Sequence, residues 1–250
     1  MTDHILIERR DAVQIIRMNR PQKKNALTRA MYAKMSAALA EGDADPSVRV
    51  HVFLGVPGAF SAGNDLADFL AVATGGEGGS EVWEFLLALA KAQKPMVSGV
   101  DGIAVGIGTT LNLHCDLTFA TPRTVFRTPF VDLGLVPEAG SSLLAPRALG
   151  QQRAFALLAL GEDLPADEAK AAGLIHELVE EGVLEEAAFA AAARIAAKPP
   201  EALRIARDLL RSPREPLLAR IEEETRLFRE RLKSDEARAA LVAFMERKKG

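Results

Sequence analysis

The sequence has almost no cysteine: Cys115 is the single thiol among 250 residues, which excludes an intramolecular disulfide and any zinc site built from several cysteines. Aromatic residues are scarce at 5%, so platforms on which nucleic-acid bases would stack are not expected. There is no excess of basic charge either. Lysine and arginine number 31 against 34 acidic residues, and a formal charge of −3 argues against a general nucleic-acid binder. No run approaches the roughly 20 apolar residues of a membrane helix, and Met1-Thr2-Asp3-His4 opens neither a basic nor an apolar leader. The expectation is a soluble, cytoplasmic chain with no nucleic-acid or membrane partner. What is plentiful is aliphatic: 48% hydrophobic and 26% charged residues suit a globular protein with a substantial core, and the alanine and leucine content suits helices.

Hydrophobic periodicity sets out the elements. Ile5 and Ile7, then Val13, Ile15 and Ile16, alternate around Arg9-Arg10-Asp11 and predict a hairpin. Thr28 can cap a helix whose inward face is Leu27, Met31, Met35, Ala38 and Leu39. Strands are expected over 48–54, 96–100, 117–120 and 174–179, and helices over 139–149, 151–160 and 166–172, with another marked by Val82, Phe85, Leu86 and Leu89. Residues 74–80, with four glycines, read as a mobile loop near a site or, more simply, as a plain linker. From Leu184 onward the pattern is wholly helical: Pro199-Pro200 end one helix, and Ile221, Thr225, Phe228 and Leu232 form the inward stripe of a later one. The many charges of residues 201–250 read as solvated helix faces. The fold class is therefore α/β, with a mixed core over 1–196 and a helical region over 197–250.

Most chemical motifs fail. Gly106-Ile107-Gly108 opens like a dinucleotide fingerprint, but Leu111 stands where its third glycine belongs. No glycine-lysine-serine or glycine-lysine-threonine triplet offers a phosphate loop, and His4, His51, His114 and His176 form no metal pattern. Cys115 reads as a core residue and not a nucleophile, since on a strand it would face away from His114 and Asp116. No G-x-S-x-G elbow is present. What survives is a pair of turns, Ser61-Ala62-Gly63-Asn64-Asp65 and Gly106-Ile107-Gly108, each leading into a helix whose first amides are unpaired. Facing one another, they would make an oxyanion hole.

With both turns in view, the order of motifs resembles the crotonase family, the enoyl-CoA hydratase/isomerase superfamily. The resemblance is carried by Met18-Asn19-Arg20-Pro21, Asn25-Ala26-Leu27, Phe60-Ser61-Ala62-Gly63-Asn64-Asp65-Leu66, Lys94-Pro95, Gly102-Ile103-Ala104-Val105-Gly106, Cys115-Asp116 and Ala171-Ala172-Gly173-Leu174. It extends from about Val13 to Arg247. It implies a crotonase-like spiral of ββα units, a C-terminal helical trimerisation region, and assembly as a homotrimer or dimer of trimers. It further implies an acyl-CoA substrate, so that coenzyme A enters only as part of the thioester and no cofactor is bound permanently. By position, the oxyanion donors would be the backbone N–H groups of Asn64 and Ile107, the latter standing where the family usually has glycine. Ala62, Asp65, Leu66, Phe244 and Arg247 would contact the CoA moiety, the last two from an adjacent subunit.

The catalytic positions discriminate within the family. Typical hydratases carry two glutamates, where this chain has Thr110 and Phe130. Glu138, within Leu133-Gly134-Leu135-Val136-Pro137-Glu138-Ala139-Gly140, instead resembles the catalytic base of the Δ3,Δ2-enoyl-CoA isomerase branch, and Gly63-Asn64-Asp65-Leu66 with Phe69 and Thr128-Pro129-Phe130 agree. Leu135, Val136 and Phe130 would raise its pKa by desolvation. Asp132 is the reserve carboxylate, and Asp65 reads as a local cap. The resemblance thus implies an isomerase that moves a double bond from 3-enoyl-CoA to 2-enoyl-CoA through a dienolate. Hydration or another crotonase-type reaction is the first alternative; a catalytically silent acyl-CoA binding or assembly subunit is the second.

Overall fold

The computed structural model describes residues 3–73, 79–211 and 213–247. The expected hairpin forms from β1 (Ile5–Arg10) and β2 (Val13–Met18), with Asp11 in the left-handed region at φ 53° making the turn. Thr28 caps α1 (Arg29–Ala44) by accepting from the Met31 amide at 3.4 Å, and Met31, Met35, Ala38 and Leu39 are buried as their spacing requires. Then follow β3 (Val50–Leu54), β4 (Ala59–Ser61), α2 (Leu66–Ala73), α3 (Glu81–Lys91), β5 (Met96–Val100), β6 (Ile103–Val105), α4 (Ile107–Thr110), β7 (Leu117–Ala120) and β8 (Val125–Arg127). The chain continues through α5 (Ser141–Leu149), α6 (Gln151–Leu158), β9 (Leu164–Pro165), α7 (Ala166–Ala172), β10 (Glu177–Leu178) and α8 (Leu184–Ala196). Three more helices follow: α9 (Pro200–Arg211), α10 (Glu215–Leu232) and α11 (Asp235–Arg247).

Among the described residues the strands divide between two sheets, ordered β1-β2-β3-β5-β7-β10 and β4-β6-β8-β9. Successive strand pairs give one member to each sheet: β3, β5 and β7 run parallel in the first, and β4, β6 and β8 run parallel in the second. With the helices between them, these pairs are turns of a ββα spiral. Alternation then sorts the core. Val50, Val52 and Leu54 face Leu184, Ala188 and Ala192 of α8, while Phe53 between them joins the larger core with Met35 and Phe85.

Several boundaries shift from the sequence expectation. The strand expected over 174–179 contracts because Gly173, at φ 93°, closes α7 and the Leu174 and Ile175 amides both turn back to the Ala169 carbonyl. The helix expected from Ala139 starts at Ser141, since Ala139 and Gly140 are left-handed at φ 60° and 69°. Cys115 is not on a strand: it closes a short 3₁₀ helix, Leu111–His114, and burial pushes its thiol up to about 12, so it is no thiolate nucleophile. Pro199-Pro200 separates α8 from α9, and Pro200 itself opens the second helix, where a missing N–H does no harm.

The C-terminal charges are not all solvated. Arg207 is 4% exposed, and its guanidinium reaches Asp116 at 2.9 Å and the Ala92 carbonyl at 2.7 Å, while Arg211 reaches Asp116 at 2.9 Å. These bonds dock α9 onto the spiral. α10 then packs on α3 and α5, and α11 on α2 and the 3₁₀ turn Val131–Leu133, with Ala237 and Leu241 buried. The Ala237 backbone sits where a Cβ on Gly134 would lie, 2.8 Å away. Among the described residues no helix is long and apolar enough to cross a membrane.

Candidate active site

The turn after β4 is pinned by the Asn25-Ala26-Leu27 segment. Asn25 is left-handed at φ 55° and fully buried, and its side-chain amide donates to the Ala59 and Phe60 carbonyls at 2.9 and 3.1 Å. Ser61 Oγ donates to the Asn25 carbonyl at 2.9 Å and accepts from the Gly63 amide at 3.1 Å. Leu27 then brackets Asn64, donating to the Gly63 carbonyl at 2.8 Å and accepting from the Asp65 amide at 2.9 Å.

The second turn is pinned from the other sheet. The Gly106 amide donates to the Arg127 carbonyl at 2.8 Å, and Thr109 Oγ1 lies 2.5 Å from the Ala104 carbonyl and 3.1 Å from the Arg127 amide. Gly106 takes φ 56° and ψ −118°, a conformation closed to most side chains, so that Ile107 can begin α4 without a positive φ. The β-branched side chain of Ile107 is thereby accommodated. The two turns touch: a Cβ on Gly63 would lie 2.9 Å from the Val105 carbonyl, and one on Gly108 would lie 2.8 Å from the Ser61 carbonyl. Among the described residues neither the Asn64 nor the Ile107 amide has an acceptor. An oxygen bearing negative charge could occupy that position.

Two adjacent clefts open here. One, of about 780 Å³ with its mouth, is walled by Leu27, Tyr32, Val82, Leu86, Phe228 and Leu232 and contains Glu138. The other, of about 1250 Å³ with its mouth, runs past Lys23, Ala62, Gly106, Phe130, Leu135 and Phe244. Asn64, Asp65, Phe69 and Phe228 border both, and the Phe69 and Phe228 rings meet edge to face at 5.7 Å.

Glu138 is 3% exposed, and among the described residues its Oε1 has no hydrogen-bond partner. Burial, reinforced by the charge of Glu224, pushes its carboxyl up to about 8. Leu27, Leu86 and Leu232 line the cleft that holds Glu138, while Phe130 and Leu135, near it in sequence, line the second cleft. His114 Nε2 donates to the Ala139 carbonyl at 2.7 Å, and burial lowers the imidazole to about 4, so this support is neutral. Asp65 is the local cap expected: it accepts from the Ala67 amide at 3.0 Å and from Arg20 at 2.6 Å, bonds that outweigh desolvation and lower its pKa. Asp132 is exposed, beside Gly161, and lines neither cleft.

Ala62, Asp65 and Phe244 meet along the second cleft as a set, whereas the side chains of Leu66 and Arg247 lie outside the described residues. Phe244 borders this cleft within its own chain, because α11 folds back onto α2. Residues 74–78 likewise lie outside the described residues, yet Gly79 lines the Glu138 cleft, so that end of the glycine-rich segment is part of the site and no mere linker. Sequence reasoning missed Tyr32, whose hydroxyl donates to Asn64 Oδ1 at 2.6 Å, and Glu224. Glu224 had a visible sign: it is a carboxylate three residues after Ile221, on the inward face of α10.

A ββα spiral with two abutting glycine turns and a helical cover is the architecture of the crotonase fold. A family model described as Enoyl-CoA hydratase/isomerase matches residues 8–250. Enoyl-CoA delta isomerase 2 of Rattus norvegicus is 37% identical over 98% of this chain, which spans 64% of that relative's length, less than two thirds. A probable enoyl-CoA hydratase of Rhizobium meliloti is 32% identical over 98% of this chain and 96% of its own. The solved structure of Pseudomonas aeruginosa OdaA superposes with a TM-score of 0.93 at 43% identity, covering 98% of this chain and 99% of that one. The chain belongs to the enoyl-CoA hydratase/isomerase family.

Proposed function

We propose that the protein is an acyl-CoA enzyme that shifts a double bond from 3-enoyl-CoA to 2-enoyl-CoA, with Glu138 as its base. The observation that carries this reading is the carboxyl of Glu138, buried in an apolar cleft with a pKa of about 8 and one unpartnered oxygen. In the proposed reaction the Glu138 carboxylate removes a proton from C2, and the electrons of that C–H bond move into a dienolate. The charge collects on the thioester oxygen, held by the amides of Asn64 and Ile107. The same carboxylic acid then returns its proton to C4 as the double bond forms between C2 and C3. The acyl chain occupies the cleft of Glu138, and the CoA moiety follows Ala62, Asp65 and Phe244, with the thioester at Asn64, which borders both clefts.

Hydration would need a second group to hold water. Thr110 and Phe130 are both buried at the positions implied for the hydratase glutamates, and neither is a carboxylate. An oligomer also belongs to this reading: Ile205, Leu209 and Leu210 of α9 are 46%, 75% and 87% exposed, an apolar strip suited to packing between subunits of a homotrimer or dimer of trimers. Incubation with 3-enoyl-CoA and, separately, 2-enoyl-CoA tests the chemistry. Conversion of the first to the second is expected. Addition of water to 2-enoyl-CoA at a comparable rate, or no turnover of either, would overturn it.

A further inference from the structure

We propose that Glu224 is a positioning residue for Glu138: its carboxylate, reaching in from α10, grips the amides of Gly140 and Ser142, two and four residues beyond Glu138, and so holds the base in place. The assignment rests on reading Glu138 as the base. Glu224 is 5% exposed. One of its oxygens accepts from the Gly140 amide at 2.6 Å, and the other accepts from the Ser142 amide at 3.0 Å and from Ser142 Oγ at 2.5 Å. Arg220, one turn earlier on α10, donates to Ser142 Oγ at 3.0 Å. All three contacts of Glu224 are acceptor contacts, as a carboxylate requires.

The grip is needed because the backbone leaving Glu138 is strained. Ala139 takes φ 60° without being glycine, and such residues persist only where their surroundings over-determine them. Gly140 follows at φ 69°, against Leu217 and Ile221 of α10, where a Cβ would come within 2.4 Å of the Leu217 side chain. Two left-handed residues thus join Glu138 to α5, and α10 fixes them through Glu224 on one side while His114 holds the Ala139 carbonyl on the other. None of this machinery touches the cleft itself.

The same placement sets two carboxyls close together. Glu224 adds to the rise of the Glu138 pKa, and burial raises Glu224 against the hydrogen bonds of Ser142 and Gly140 and the charge of Arg220. The other charged or titratable groups facing Glu138 are Tyr32 and Arg29 of α1, Asp65 before α2, Asp68 of α2, Arg229 of α10, and the neutral His114 behind its turn. Arg29 is paired with Glu81, and Asp65 with Arg20. Removing the Glu224 charge therefore leaves no second buried carboxylate beside Glu138 among the described residues.

The test is infrared titration of the folded, substrate-free protein. Subtracting the Glu138→Gln spectrum isolates the carboxylic-acid band of Glu138, and its pH midpoint is read in wild type and in Glu224→Gln. The expected result is a midpoint lowered by about one pH unit in Glu224→Gln. An unchanged midpoint in that variant would overturn the proposal. Glu224→Asp supplies the second arm, because it keeps the charge but withdraws the grip. There the midpoint should stay high while kcat for 3-enoyl-CoA falls about 10- to 100-fold with little change in KM. Wild-type kcat in Glu224→Asp would also overturn it. Since the infrared arm uses no substrate, its outcome stands apart from whether the wild-type protein isomerises enoyl-CoA at all.

Discussion

The wall of the cleft around Gly63 and Gly106 is main chain, braced by buried polar side chains of the two sheets, whereas in the wall around Glu138 the turn that carries that residue is held by two remote side chains, His114 and, from a late helix, Glu224. In the first, Asn25, Ser61 and Thr109 all bond to backbone, and the proposed donors that they hold are two main-chain amides. Amides are common to every residue but proline. That wall can accept isoleucine at 107, where the family usually has glycine, provided Gly106 absorbs the unusual dihedral angles. The second wall presents a side chain, and neither the carboxyl of Glu138 nor that of Glu224 has a substitute. Substitutions should therefore divide sharply: the glycine-turn wall is sensitive to backbone, and the Glu138 wall to chemistry.

The largest effect is expected at Glu138. Glu138→Gln keeps the volume and removes the base, so isomerisation should fall by roughly 10²–10⁴-fold with acyl-CoA binding little changed. The same variant should be more stable at high pH. Because burial raises the folded-state pKa from 4.5 to about 8, the native protein holds this proton more tightly than the unfolded chain, and wild-type stability declines as pH rises through that interval. The stability of the glutamine variant relative to wild type should be greater at pH 8.5 than at pH 5 by on the order of a few kcal/mol, read as a wider Tm gap at the higher pH. Equal Tm gaps at the two pH values would show that the buried charge is not felt.

The same division explains how much could be read in advance. The hairpin, the capped α1 and the helix over 166–172 follow from periodicity, and the strands over 96–100 and 117–120 from short apolar runs that the sheet buries on both faces. Gly63 and Gly106 are legible as turns, and Glu138 is singled out by resemblance to the isomerase branch. The wall around Glu138 is not legible, since its apolar lining comes from Leu27, Leu86 and Leu232, residues remote in sequence that only the spiral and the returning α10 bring together. Arg207 and Glu224 stayed hidden for a related reason: on an isolated amphipathic helix a charge reads as solvated until its buried partner, here Asp116 or the Gly140 amide, is known.

Ile107→Pro tests the main-chain wall. It deletes the amide and should lower turnover on the order of 10²–10³-fold. The control must respect burial, because Ile107 is fully buried in the core. Ile107→Val keeps the amide, costs about 0.5–1.5 kcal/mol of stability and should retain most activity. If valine is as damaging as proline in folded protein, the side chain and not the amide matters, and the contrast between the walls disappears. The pH profile comes next. A base with a pKa of about 8 is mostly protonated at pH 6, so kcat/KM should rise about tenfold per pH unit before levelling off above pH 8. A profile flat from pH 6 to 8 would rule out Glu138 as the titrating base.

The smallest effect is expected at Tyr32, where the two walls meet. Its hydroxyl donates to Asn64 Oδ1 at 2.6 Å, and burial first, then the charge of Glu138, holds the phenol well above its ordinary pKa, so it remains a donor throughout the working range. Tyr32→Phe removes one hydrogen bond from a residue whose peptide is already bracketed by Leu27 on both sides, at 2.8 and 2.9 Å. One such bond contributes about 1 kcal/mol, so kcat should fall roughly fivefold with KM little changed. A fall as large as that of Ile107→Pro would mean that the Asn64 amide is aimed by its side chain. The wall of glycine turns would then depend on side-chain chemistry as much as the wall around Glu138 does.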